Sequence, residues 1–133
     1  MGILLAGGWQ ADYGVPDDVL RGSLSISDLF DLHPLLSTHI NGWMSLDADA
    51  AQRNSPLFNL PQSAGELVVS HGALETAEFA RQSQAYLTAW RECGLPGRFV
   101  ETPQKNHFDV VLEPGQPGAP LHDAVLQLMD IGE

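Results

Sequence analysis

Glu75 and His107 are the two side chains of this sequence whose types suit hydrolytic chemistry. A carboxylate that accepts a hydrogen bond from one imidazole nitrogen fixes the tautomer, and it stabilises the imidazolium formed when the other nitrogen takes a proton. A histidine held in this way acts as a general base near neutral pH. Neither residue type is diagnostic by itself, because surface glutamates are common and a loop histidine is usually an ordinary polar residue. The pair gains meaning from where the chain places it.

The positioning elements are legible around both residues. Residues 66–71 (ELVVSH) form the clearest strand. It is followed by Gly72, a short loop carrying Glu75, and Thr76 as the expected N-cap of a helix over 77–93. Phe79, Tyr86, Trp90 and Cys93 recur there at helical spacing, and Gly94 and Pro96 end the run. The aromatic stripe is expected to pack on a sheet, with Cys93 structural. Residues 98–102 read as the next strand, closed by Pro103, and His107 follows in a loop or helix start. Asp109, two residues after His107, is not the expected triad acid, because the acid should approach the ring from another loop, and it is expected instead to cap the segment after His107. Upstream, residues 22–26 alternate as a strand that ends at Asp28 to Asp31. Residues 32–62 lack a long periodic segment apart from a helix over 47–53, and read as a lid-like excursion. Within it, Trp43 and Met44 are expected to anchor the excursion to the core rather than meet a substrate. Gly115 to Pro120 is a linker before a final helix marked by Leu121, Val125, Leu128 and Met129.

Strand, excursion, strand, helix, strand, loop, helix is the rhythm of a three-layer α/β fold with a parallel sheet. Ligands bind such sheets at the C-terminal ends of the strands, where residues 27–31, 72–76 and 106–109 fall. An acid after one strand and a histidine after the next is the chain order of an α/β-hydrolase, whose serine nucleophile comes earlier.

Four segments, SISDLFDL (25–32), NSPL (54–57), GALETAEFARQS (72–83) and NHFDVV (106–111), resemble in order the C-terminal half of the kynurenine formamidase (arylformamidase) branch of the α/β-hydrolase fold. The resemblance implies that Glu75 is the triad acid and His107 the triad histidine. It implies hydrolysis of N-formyl-L-kynurenine to L-kynurenine and formate, a step of tryptophan breakdown, with no metal and no organic cofactor. Asp28 and Asp31 are substrate-binding candidates for the amino group of a kynurenine-like molecule, against the competing reading of loop-turn residues. The family's Gly-x-Ser-x-Gly elbow has no counterpart in the sequence. Ser63-Ala64-Gly65 lacks the first glycine and precedes a strand, and Ser25 and Ser27 lack flanking glycines. No His-Gly-Gly segment supplies oxyanion amides either. The expectation is therefore a partial hydrolase domain over residues 1–133, starting inside a helix at Met1 to Ala6, with the nucleophile-bearing half absent and no activity in isolation.

Bulk properties narrow the alternatives. Seventeen acidic against six basic side chains give a net charge of −11, which repels nucleic acid and anionic lipid. No apolar run approaches the roughly 20 residues of a membrane span. Cys93 is the single cysteine, so neither a disulfide nor a CxxC pair can form, which suits a reducing cytoplasm. The five histidines show no zincin spacing, so no metal is expected. The expected partner is a small ester or formamide. An unpaired sheet edge implies a homodimer or association through that edge. A carboxylesterase of the same fold and a catalytically dead binding or assembly module are the competing functions.

Overall fold

Hydrophobic residues in unbroken succession, as in Leu67-Val68-Val69, need cover on both faces of a strand, and the fold supplies it. The computed structural model describes residues 2–16 and 18–130. In chain order it contains helices α1 (Gly2–Leu5) and α2 (Gln10–Tyr13), strand β1 (Gly22–Ile26), and helices α3 (Asn41–Met44) and α4 (Ala48–Asn54). Strand β2 (Glu66–Ser70), helix α5 (Ala77–Glu92), strand β3 (Gly97–Phe99), and helices α6 (His107–Val110) and α7 (Pro120–Leu128) follow. Short 3-10 turns occupy His33–Ser37, Pro56–Phe58 and Glu113–Gly115. The expected initial helix is α1, although Met1 lies outside the described residues.

The three strands form one parallel sheet in the order β1-β2-β3. Leu67, Val68 and Val69 of the central strand are each 0% exposed. Leu67 and Val69 join Phe30, Tyr86, Leu87, Trp90 and Leu95 in the main core, on the face covered by α5. Side chains alternate along a strand, so Val68 points to the opposite face. There Gly22 abuts Leu128 of α7, and Arg98 donates to Gln127 at 2.7 Å. Among the described residues the outer edge of β1 has no strand partner.

The expected strand 98–102 is shorter and displaced. After a last ladder bond from Val100 N–H to Val69 O, side chains take over: the Ser70 hydroxyl donates to the Val100 carbonyl and the Thr102 hydroxyl to the His71 carbonyl. Thr102 keeps only a single bridge to Gly72. Helix α5 starts after Thr76, whose side chain makes no capping bond; instead Phe79 N–H donates to its carbonyl. The expected aromatic stripe divides, with Tyr86 and Trp90 fully buried and Phe79 only half-buried. Cys93 is exposed rather than structural, because Gly94 turns the chain at φ 76° and Leu95 takes the core position.

The excursion contradicts one expectation. Trp43 is 81% exposed and packs edge-on against His39, and Met44 is also exposed, so neither anchors the segment. Polar groups hold it instead. The Ser55 hydroxyl donates to Ala51 O and accepts from Leu32 N–H. Buried Gln82 of α5 accepts from the Phe30 and Asp31 amides and donates to Asp31 O. Phe30 then stacks on Tyr86, with centroids 4.0 Å apart. No helix among the described residues is long and apolar enough to cross a membrane.

The Trp90 indole fills the α5–sheet junction and donates to Pro96 O at 2.9 Å. Trp90→Ala is expected to cost about 3–5 kcal/mol in urea unfolding. Trp90→Phe is expected to cost less, since it keeps most of the apolar volume.

Candidate active site

The turn after β2 folds Glu75 back over its own strand end: Glu75 N–H donates to Gly72 O, and Gly72 N–H donates to the Glu75 carboxylate at 2.8 Å. The loop beyond β3 is fastened to this turn by Ala73 N–H to Thr102 O and by Leu74 N–H to Lys105 O at 2.9 Å. Asn106 then caps α6, its side-chain oxygen accepting from the Phe108 and Asp109 amides, so His107 becomes the first residue of that helix. The cap expected of Asp109 thus belongs to Asn106, and the Asp109 carboxylate accepts from the Asn106 amide. Behind α6, the Lys105 ammonium lies 3.7 Å from the buried Glu113 carboxylate, which ties together the two ends of the segment carrying His107.

These constraints place His107 Nδ1 3.2 Å from Glu75 Oε2. The Glu75 side chain is 2% exposed and that of His107 is 50% exposed, so the acid is sequestered while the imidazole reaches solvent. Glu75 Oε1 accepts from the Ser27 hydroxyl at 2.6 Å and from the Gly72 amide. Burial alone pushes the Glu75 carboxyl up, but hydrogen bonds from Ser27, Gly72 and His107, with the nearby imidazole charge, outweigh it and hold the pKa below the ordinary carboxylate value. Phe79 lies against the His107 ring with centroids 5.2 Å apart, and Phe108 meets it edge-on at 5.6 Å. With Nδ1 facing a carboxylate, Nε2 is the nitrogen left to exchange protons with a reactant.

Of the sequence-derived candidates, Glu75 and His107 are in contact. Asp28 and Asp31 sit on the neighbouring β1 loop and bond locally: Asp28 accepts from the Ser25 hydroxyl, and Asp31 accepts from the ring and amide of His33. Two contributors escaped the sequence reading. From sequence alone Ser27 reads only as a rejected nucleophile and Phe79 only as core. The position of Ser27 at a strand's C-terminal end was the available signal, since that is where the neighbouring acid loop lies. Ser27 gives its proton to the acid rather than to the histidine, a geometry opposite to that of a nucleophile. Ser63 precedes β2 and so lies at the opposite end of the sheet from Glu75. Among the described residues no serine hydroxyl is hydrogen-bonded to His107, and no cluster of three His, Cys, Asp or Glu could hold a metal.

Comparison with known proteins points the same way. No protein-family model matches the chain. It is 30% identical over 115 residues to a kynurenine formamidase of Salmo salar, covering 82% of this chain and 38% of that protein. It is 29% identical over 97 residues to a kynurenine formamidase of Danio rerio, covering 69% of this chain and 33% of that protein. The chain therefore spans about a third of the length of the relatives it matches. Among solved structures, a provisionally assigned thioesterase from a Silicibacter species superposes with a TM-score of 0.64 at 30% identity, over 76% of this chain and 37% of that one. Dipeptidyl peptidase 4 of Porphyromonas gingivalis, at 12% identity and a TM-score of 0.53, covers 84% of this chain and 16% of that one and shares the fold alone. The chain is thus kynurenine-formamidase-like in sequence and of α/β-hydrolase type in fold.

Two measurements probe this site. A Cβ on Gly72 would lie 2.5 Å from Lys105 O and 3.0 Å from both Asn106 O and Glu75 Oε1, so Gly72→Ala must push the two loops apart. It is expected to break the Glu75–His107 contact and lower the melting temperature, as seen by NMR of the imidazole and by thermal unfolding. Glu75 titrates lower when folded than its ordinary 4.5, so its stabilisation is complete above that value and is lost as pH falls through the folded pKa. Glu75→Gln is accordingly expected to flatten the decline in urea stability below pH 4.5.

Proposed function

We propose that this chain carries the acid and histidine of a serine-hydrolase site, with Glu75 orienting His107 and the serine supplied by chain beyond these 133 residues. The observation that carries the reading is the 3.2 Å contact between a buried carboxylate and a half-exposed imidazole at adjacent strand ends. In this arrangement His107 Nε2 takes the nucleophile's proton, and the Glu75 carboxylate stabilises the resulting imidazolium. The proton then passes to the leaving group, and water repeats the cycle to release the acid.

Similarity to the fish kynurenine formamidases supports a formamide substrate of the N-formyl-L-kynurenine type, which gives L-kynurenine and formate, a step in tryptophan breakdown. Likeness to a provisionally assigned thioesterase supports a second reading, in which the same dyad serves acyl ester or thioester hydrolysis. Both use the same proton transfers and differ in the group removed. Asp28 and Asp31, at the end of β1, are the proposed contacts for a substrate amino group. The open outer edge of β1 is the proposed surface for association with a second copy or with the complementary part of the sheet.

The 133-residue chain alone is expected to hydrolyse N-formylkynurenine and p-nitrophenyl acetate at the buffer rate. Turnover by the isolated chain that disappears in His107→Ala would place the nucleophile within it. Combined with the part of the zebrafish protein that it does not match, the chain is expected to gain turnover that drops about 10⁶-fold in His107→Ala. Activity of that combination unchanged by His107→Ala and Glu75→Gln would sink the hydrolytic reading. The preferred substrate in the same assay separates formamidase from esterase.

A further inference from the structure

The Glu75 carboxylate has one oxygen facing the imidazole and another that faces away from it. The second, Oε1, is held by donors from two different strand ends: the Ser27 hydroxyl at 2.6 Å and the Gly72 amide at 2.8 Å. Ser27 is 8% exposed and its backbone lies at φ 53°, in the left-handed region that side chains other than glycine rarely adopt. Its own amide already continues the ladder by donating to Ser70 O at 2.9 Å. Hydrogen bonding of the backbone therefore does not call for a serine here, and a glycine would take the same conformation without strain. Strain kept at one residue beside a functional group points to a role for that residue's side chain.

We infer that Ser27 is a positioning residue for Glu75, pinning Oε1 so that Oε2 alone receives Nδ1–H of His107 and the lone pair stays on Nε2. Two donors on Oε1 fix the carboxylate plane. A carboxylate free to rotate would present either oxygen, and the imidazole would lose its single preferred orientation and tautomer. The hydroxyl has no acceptor other than this carboxylate within the described network, so its proton orientation is set as well. This inference rests on the reading of Glu75 and His107 as a hydrolytic dyad, but its consequence is measurable without turnover.

The test is NMR on the 133-residue chain, following ¹⁵N shifts of the His107 ring to assign the tautomer and the ¹³C carboxyl signal of Glu75 across a pH titration. In Ser27→Ala and Ser27→Gly, Glu75 is expected to titrate at higher pH than in the parent, and the fraction of His107 protonated on Nε2 is expected to rise at neutral pH. Ser27→Gly is expected to be at least as stable as Ser27→Ala, because it relieves the turn while still removing the hydroxyl. Folded variants with unchanged Glu75 and His107 signals would overturn the proposal. So would loss of the fold in both variants, which would assign Ser27 to the core instead. If the NMR shifts appear but no hydrolysis depends on His107, the hydrolytic reading fails and the positioning role stands. His107-dependent hydrolysis with unchanged signals gives the reverse.

Discussion

Parallel pairing of β2 with both of its neighbours is the constraint on which the rest of the molecule depends. Parallel registers bring the C-terminal ends of all three strands to one edge of the sheet. Ser27, Glu75 and His107 are separated by 48 and 32 residues in the chain, yet they form one hydrogen-bonded line because each follows a strand that ends there. Full burial of Leu67, Val68 and Val69 locks that arrangement.

The site is assembled from loops, and its precision comes from cross-links between them. Leu74 and Ala73 bind backbone carbonyls of the loop that leads to His107, and Asn106 terminates that loop by capping α6. The close approach at Gly72 is what lets the acid turn and the histidine loop touch, since a side chain there would meet backbone oxygens. The buried Glu75 carboxylate is tolerated because three donors surround it, and their combined effect exceeds the cost of desolvation. The imidazole stays half-exposed between two phenyl rings, open to a reactant on the side away from the acid.

Polar fastening also governs the excursion over 32–62. Gln82 uses both its oxygen and its nitrogen on the Phe30–Asp31 backbone, and Ser55 both donates and accepts. Buried side chains satisfied in this way fix a loop with little regular structure of its own. Trp43 is left outside, since its short helix is closed by Asn41 bonding to Leu36 and Leu46 rather than by burial.

Much of this was legible in the sequence, for local reasons. The apolar run ELVVS, the turn residues that follow it and the sixteen-residue helix with its Gly94 stop depend on nearest neighbours, and they appear where periodicity puts them. The order of acid and histidine after successive strands, together with the family-like segments around them, singles out Glu75 and His107 as candidates, and the structure brings them to 3.2 Å. Boundaries that depend on partners were not legible: β3 ends early because the Ser70 and Thr102 side chains take its ladder bonds. Trp43 and Phe79 were misplaced because hydrophobicity gives the tendency to bury, not the surface available to bury against. The sequence by itself determined the α/β rhythm and singled out Glu75 and His107 as the candidate pair. Only the tertiary structure decided that the Ser27 hydroxyl meets the Glu75 carboxylate, because a left-handed turn and a contact across 48 residues are set by packing and leave no local pattern.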